Sequence, residues 1–191
     1  MFIRTERLFL RPVFPEDWRA VFRGMSDGKV PCMVASAPFP YTAEGAIEYC
    51  RSAAERNAYA LSITVPDGEG APLIGLIGLG RPLAPSRDGP THELGFWIAP
   101  DWRRRGYASE AAAGLLGAVR ALGVRRVISG HFLDNPANGR VLRRVGFAET
   151  GEITAIASKG RGGMLVPTRR YALDLHADAI AALRPTVDQM A

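Results

Sequence analysis

The stretch PDWRRRGYASEAAAGLLG, residues 100–117, decides how the chain is read. It sets three consecutive arginines against a glycine and then runs directly into alanines. The alanines and leucines predict a helix beginning near Tyr107, with Ala108, Ala111, Ala112, Leu115, Leu116, Val119 and Leu122 on one apolar stripe and Gly123 as its stop. A helix macrodipole favours acids at its N-terminus and bases at its C-terminus. Arg103, Arg104 and Arg105 therefore stand at the wrong end for a helix that needs only to be stable, and an anion is expected in front of them. A strand, a tight glycine-bearing loop and a helix start rich in small residues make such a cradle. Backbone N–H groups at the helix N-terminus have no intrahelical acceptor, and Gly106 lets a phosphate approach the chain closely.

Outward from that stretch, the pattern describes a single mixed α/β domain. LFLRPV (8–13), YALSITV (59–65), LIGLIGLG (73–80) and HELGFWIAP (92–100) read as strands before it, and RRVISGHF (125–132) as the strand after it. Two helices are expected between the first two strands. One carries Trp18, Val21, Phe22 and Met25 up to a break at SDGK (26–29), and the other is capped by Thr42 and runs to about Asn57. DGEGAP (67–72) is a turn, and RPLAPSRDGP (81–90) is a proline-rich loop. Asn135 and Pro136 sit in the N-cap and first-turn positions of a short helix that Gly146 ends. FAETGEITAIA (147–157) and MLVPTRRYALDL (164–175) form a closing hairpin around SKGRGG. The expected fold is a twisted mixed sheet of about seven strands with about four helices. It occupies residues 1–175, followed by a C-terminal tail at 176–191.

Composition bounds the function without choosing it. The 191 residues, 47% hydrophobic and 23% charged, suffice for one well-buried domain. A net charge of +5 and a pI near 9.7 admit anionic partners: nucleic acid, a membrane surface or a phosphorylated small molecule. The base is almost all arginine, with Lys29 and Lys159 the two lysines. Cys32 and Cys50 lack metal-like or redox spacing and read as reduced thiols. The longest apolar run, AAAGLLGAV, is about half the length of a membrane span. The opening run MFIRTERLFLRP has no signal-peptide core, so a cytoplasmic location is expected. No P-loop, metal-spaced histidine cluster or nucleophile elbow occurs, and no metal is expected.

RRRGYASEA resembles the R/Q-x-x-G-x-G/A signature of the GNAT acyl-CoA N-acyltransferases, through Arg103, Gly106 and Ala108. DNPANGRVLRRVGF (134–147) resembles that family's next block. TERLFLRPVFPEDW (5–18) and HELGFWIAPDW (92–102) resemble segments of its ribosomal-protein N-terminal acetyltransferase subgroup. The resemblance implies a sheet splayed between the fourth and fifth strands. It implies acetyl-CoA as co-substrate, with its pyrophosphate on the backbone amides of Arg104, Arg105, Gly106, Tyr107, Ala108 and Ser109, and its pantetheine arm along Phe96, Trp97 and Ile98. It implies further that Glu93 is the base, that Asn135 contacts the pantetheine arm beside the reacting atoms, and that Asn138 lies against the cofactor. A base is chemically required, because an ammonium must lose a proton before it can attack. His92 falls on the opposite face of the strand and is the weaker candidate. The sequence departs from the family at the general acid: Asn138 stands where many relatives carry serine, and Leu142 where others carry tyrosine. A thiol pKa near 8.5 leaves coenzyme A a workable leaving group without one.

The expected activity is N-acetyl transfer to a primary amine, either a ribosomal-protein N-terminus or a small molecule, in a ternary complex. Two other classes stay open on sequence: an acyl-CoA-binding module without turnover, and a nucleic-acid binder supported by charge alone. Monomer and homodimer are both compatible with the sequence. The acceptor-side segments, 26–42 and 81–90, carry no decisive signature.

Overall fold

A computed structural model describes residues 1–56, 59–66, 70–84 and 91–175. In chain order, the strands are β1 (Ile3–Arg4), β2 (Phe9–Pro12), β3 (Leu61–Thr64), β4 (Leu73–Gly80), β5 (His92–Ile98), β6 (Arg126–Phe132), β7 (Ala148–Ser158) and β8 (Met164–Asp174). The helices are α1 (Trp18–Met25), α2 (Lys29–Met33), α3 (Ala43–Arg56), α4 (Tyr107–Ala121) and α5 (Pro136–Arg144). The eight strands form one sheet in the order β1-β2-β3-β4-β5-β6-β8-β7. Every neighbouring pair is antiparallel except β5 and β6.

Side-chain alternation along the strands sorts the core into two faces. Leu94 and Ile98 of β5 join Ala111, Ala112, Leu115, Leu116 and Val119 of α4 and Leu142 of α5 in the larger cluster. Leu76 of β4 and Trp97 of β5 join Val21 and Met25 of α1, Val30 of α2 and Ala46, Cys50 and Ala53 of α3 in the second. The α4 stripe matches its expectation up to Val119. Leu122, expected on the stripe, is 63% exposed because the helix has ended and its N–H closes the last turn onto Ala118 and Val119.

Two elements exceed the expected seven strands and four helices. β1 is two residues long, too short to carry a period. The SDGK segment opens α2 as well as closing α1. Asp27 Oδ1 accepts from the N–H groups of Lys29 and Val30, at 3.0 and 3.2 Å, and Gly28 takes φ +74. Thr42 caps α3 as expected, with Oγ1 accepting from Gly45 N at 3.0 Å. Asn135 occupies the N-cap of α5, but its side chain makes no capping bond, contrary to expectation. Its φ of −118° and ψ of 62° depart from extended cap geometry, and its own carbonyl takes the Asn138 N–H at 3.2 Å instead. The expected tail at 176–191, the first half of the DGEGAP turn, Asn57 at the expected end of the second helix and most of the loop at 81–90 lie outside the described residues.

Candidate active site

The sheet opens between β5 and β6. These strands pair only at His92 with Val127 and Glu93 with Ile128. Beyond that point, among the described residues, Ser129 Oγ donates to the Leu94 carbonyl at 2.9 Å. On its other edge β5 stays fully paired with β4, Phe96 opposite Ile77 and Ile98 opposite Gly75. The β6-side edge of Phe96–Ile98 is therefore left free of ladder partners, in agreement with the expected splay between the fourth and fifth strands of the sequence reading.

The α4 N-terminus stands just beyond the open end of β5. Gly106 is its N-cap, at φ +81, and no side chain caps the helix. The first helical bond runs from Glu110 N to Gly106 O, which leaves the amides of Tyr107, Ala108 and Ser109 without intrahelical acceptors. Arg104 holds φ +62, the one positive φ outside glycine among the described residues. The three arginines have different tasks. Arg103 Nε donates to the Ile98 carbonyl at 2.9 Å. Arg105 Nη2 donates to the Asp101 carbonyl at 3.1 Å, and its guanidinium stacks on Trp102 at 5.3 Å. Arg104 is exposed and has no partner among the described residues, which leaves it free to face solvent or a ligand.

The sequence reading missed Arg7. Its Nη1 donates to the Arg105 carbonyl at 3.0 Å, its Nε to Glu110 at 2.7 Å, and its guanidinium covers the Tyr107 ring at 4.8 Å. Burial raises the Glu110 carboxyl, but hydrogen bonds from Thr5 and Arg7 outweigh it and hold the pKa below the ordinary value. The acid in the first turn of α4 is thus neutralised by Arg7, which keeps the front of the helix receptive to a second anion.

A cavity of about 610 Å³ runs from the opening of the sheet to the face covered by α1 and α3. Its floor carries glycines at Gly78, Gly95 and Gly130, one on each of three adjacent strands. Gly78 lies opposite Gly95 in the ladder, and a Cβ built on Gly95 meets nothing within 4 Å. Met25, Tyr41, Tyr49 and Trp97 line the far wall. Burial, with smaller effects of Cys50 and Tyr49, pushes the Tyr41 phenol up to about 12, so it remains an O–H donor at neutral pH. Of the expected site residues, Glu93, Phe96, Trp97 and Asn138 line this cavity. Ile98, Asn135 and the residues 103–109 lie outside it, the latter in the loop and first turn that follow β5.

Glu93 is 8% exposed and sits where the opening begins. Its Oε1 accepts from Arg170 Nη1 at 2.8 Å and its Oε2 from Leu83 N at 2.6 Å. Arg170 comes from β8 and reaches Glu93 by crossing β6 over Gly130, where a Cβ would stand 2.7 Å from Nη1. His92 lies on the other face, edge-on to Tyr59 at 5.9 Å. His131 lines the cavity, but its Nδ1–H is held by the Phe132 carbonyl at 2.8 Å, and its Nε2 stands 3.4 Å from the Tyr171 hydroxyl. Asn138 Oδ1 is buried with no partner among the described residues. The described residues hold no group of three or more His, Cys, Asp or Glu side chains able to bind a metal, and no helix among them is long and apolar enough to cross a membrane.

The hairpin joining β7 to β8 closes the cavity from above. Arg161 Nε donates to the Cys32 carbonyl at 2.8 Å, and Nη1 and Nη2 pair with Asp134 at 2.8 and 3.1 Å. The Arg161 guanidinium lies 4.9 Å from the Phe132 ring centre. Lys159 N donates to the Ala35 carbonyl at 2.9 Å, and a Cβ on Gly160 would collide with Pro31.

Comparison with known proteins agrees with this geometry. The chain is 28% identical over 161 residues to the uncharacterized N-acetyltransferase YnaD of Bacillus subtilis, covering 84% of this chain and 90% of that one. The crystal structure of a GNAT-family acetyltransferase from Bacillus anthracis superposes with a TM-score of 0.75 at 26% identity, covering 92% of this chain and 99% of the other. The fold alone is shared with RimL, the ribosomal L7/L12 alpha-N-protein acetyltransferase solved in complex with coenzyme A. That match has a TM-score of 0.72 at 16% identity and covers 93% of this chain and 100% of RimL. Residues 7–148 match the acetyltransferase (GNAT) domain, and the chain belongs to that family of acyltransferases.

Proposed function

We propose that the protein transfers the acetyl group of acetyl-CoA to a primary amine, a protein N-terminus or a small-molecule amine, by direct attack in a ternary complex. The observation that carries this reading is the opening of the sheet beyond Glu93 and Ile128, which leads from the uncapped N-terminus of α4 into the cavity. The amides of Arg104 to Ser109 would hold the pyrophosphate, with Arg103 and Arg105 stiffening the loop and Arg104 free to reach a phosphate. The pantetheine arm would add to the free edge of Phe96–Ile98. The orphaned Asn138 Oδ1 suits one of its amide N–H groups, since a buried acceptor without a donor is costly.

The chemistry follows from the residues lining the cavity. The amine lone pair attacks the thioester carbonyl, and an N–H on the open edge of β5 stabilises the oxyanion. Glu93 first takes the proton of the bound ammonium; after attack the C–S bond breaks, coenzyme A leaves as the thiolate, and the surplus proton of the new amide nitrogen passes to solvent. Each carboxylate oxygen of Glu93 accepts one hydrogen bond and retains a further lone pair for an amine N–H or a bridging water. Neither Asn138 nor Leu142 is an acid, so the thiolate takes its proton from solvent.

Thermal unfolding tests this reading. Acetyl-CoA at a hundred times its dissociation constant adds about 2.7 kcal/mol to stability by mass action, which raises Tm by about 5 to 11 °C for a chain of this length. Gly106→Asp places a carboxylate in the cradle and should abolish the shift while leaving the circular dichroism unchanged. An unaltered shift in that variant would show that α4 does not hold the cofactor.

A further inference from the structure

Resting on the acetyl-transfer reading, we infer that the acceptor is itself anionic. It is a primary amine bearing a carboxylate or phosphate, and that anion is received by Arg170 with Arg81 and Lys159 contributing at the cavity lining. Five charged residues line the cavity: Glu48, Arg81, Glu93, Lys159 and Arg170. Cations outnumber anions among them, so the field inside favours a negative ligand and opposes a polyammonium.

The Arg170 side chain is 7% exposed, yet only its Nη1 is bonded. Nε and Nη2 have no partner among the described residues, and neither is among the buried side-chain atoms sealed off without one. A guanidinium buried to this degree with two donors open to a cavity calls for acceptor oxygens. Glu93 does not supply them, since its contact with Arg170 is to Nη1 and its second oxygen faces Leu83 N. Gly130 keeps the approach clear, since any Cβ there would crowd the guanidinium. Arg81 and Lys159 are exposed and make no ion pair with the described residues.

The 2.8 Å spacing of Glu93 and Arg170 presents a negative and a positive group side by side. Its complement is a molecule with an amine and an anion a few bonds apart: the amine goes to Glu93 and the anion to Arg170. Long polyamines and lone alkylamines lack that second group.

The test measures thiol release by the full chain at saturating acetyl-CoA. The acceptors are an alanyl dipeptide with a free carboxylate, its C-terminal amide, 2-aminoethyl phosphate and spermidine. An anion-bearing acceptor should exceed the amide and spermidine in kcat/KM by about tenfold or more, the worth of one charge-assisted contact. The better of the dipeptide and the phosphate identifies the anion. The double variant Arg81→Glu/Lys159→Glu should erase that advantage through KM with acetyl-CoA affinity unchanged. Arg170→Lys keeps the charge opposite Glu93 and should raise KM for the anionic acceptor. The inference is overturned if the amide matches the free acid, if spermidine is fastest, if the variants change acetyl-CoA affinity instead, or if no acceptor turns over while acetyl-CoA still binds. Loss of acetyl-CoA binding by the unaltered protein would refute the acetyl-transfer reading itself.

Discussion

Glu93 and Arg170 stand 2.8 Å apart, with side-chain exposures of 8% and 7%, so each is the other's principal compensation for leaving water. At an effective dielectric near 20 their gross attraction is about 6 kcal/mol, and the desolvation of both ions offsets much of it. Removing one partner is worse than removing both, because a stranded buried charge costs about 3–5 kcal/mol. Glu93→Gln strands Arg170, and at about 2–4 °C per kcal/mol for a chain of this size Tm should fall by about 6–20 °C. Glu93→Gln/Arg170→Met removes both charges and should recover at least half of that loss. Turnover separates the structural role from the chemical one. If Glu93 accepts the proton, kcat in both variants should stay down by about two to four orders of magnitude and recover as pH rises and the acceptor deprotonates in solution. The assays are thermal unfolding by circular dichroism and thiol release across pH 6.5–9.5. A Glu93→Gln protein that melts within about 2 °C of the parent would refute the clamp. One with normal turnover at every pH would refute the base.

Two further outcomes follow from titratable groups. Burial raises the Asp17 carboxyl, but hydrogen bonds from Arg11, Phe14 N and Ser62 hold it below its ordinary value, and Glu110 is lowered in the same sense. A depressed carboxylate stabilises the fold above its unfolded pKa and loses that contribution as pH falls through the folded one. Tm should therefore be flat near neutrality and drop below about pH 4, and Asp17→Asn should flatten that acid limb. Burial, with a smaller effect of Asp17, pushes the Cys50 thiol up to about 12. In the native protein at pH 8, iodoacetamide should leave Cys50 unmodified, as peptide mass spectrometry would read, and denaturant should expose it to alkylation.

The parts legible in the sequence were those written in local spacing. The 107–121 stripe, Gly106 and Gly123 at the helix ends, and the alternation placing His92 and Glu93 on opposite faces are all contained within about one turn or one strand. The uncapped N-terminus of α4 followed from a single contiguous run. What escaped is held by pairs far apart in the chain. Glu93 finds Arg170 77 residues away, Arg7 finds Glu110 103 residues away, and no periodicity relates them. One local signal did exist. Val166, Thr168 and Arg170 alternate onto the buried face of an interior strand, where an arginine needs a carboxylate partner, and Glu93 was the carboxylate already singled out. The Asn135 cap failed for the opposite reason. A residue with high cap propensity sat in the right place, but its own backbone carbonyl took the amide its side chain would have bonded.

The Arg161 hairpin sets an order of events for a chain made from its N-terminus. Cys32 meets Arg161 across 129 residues, so the cavity wall built by α2 and the segment after it lacks this contact until the last hairpin has emerged. At the usual pace of synthesis that interval is about 6–26 s, during which Val30 rests on the cluster it shares with α1 and α3 without the hairpin. The cradle in front of α4 depends on Arg7, Arg103 and Arg105, all translated well before residue 161. The residues that surround the α4 N-terminus are therefore all made before the hairpin that closes the cavity.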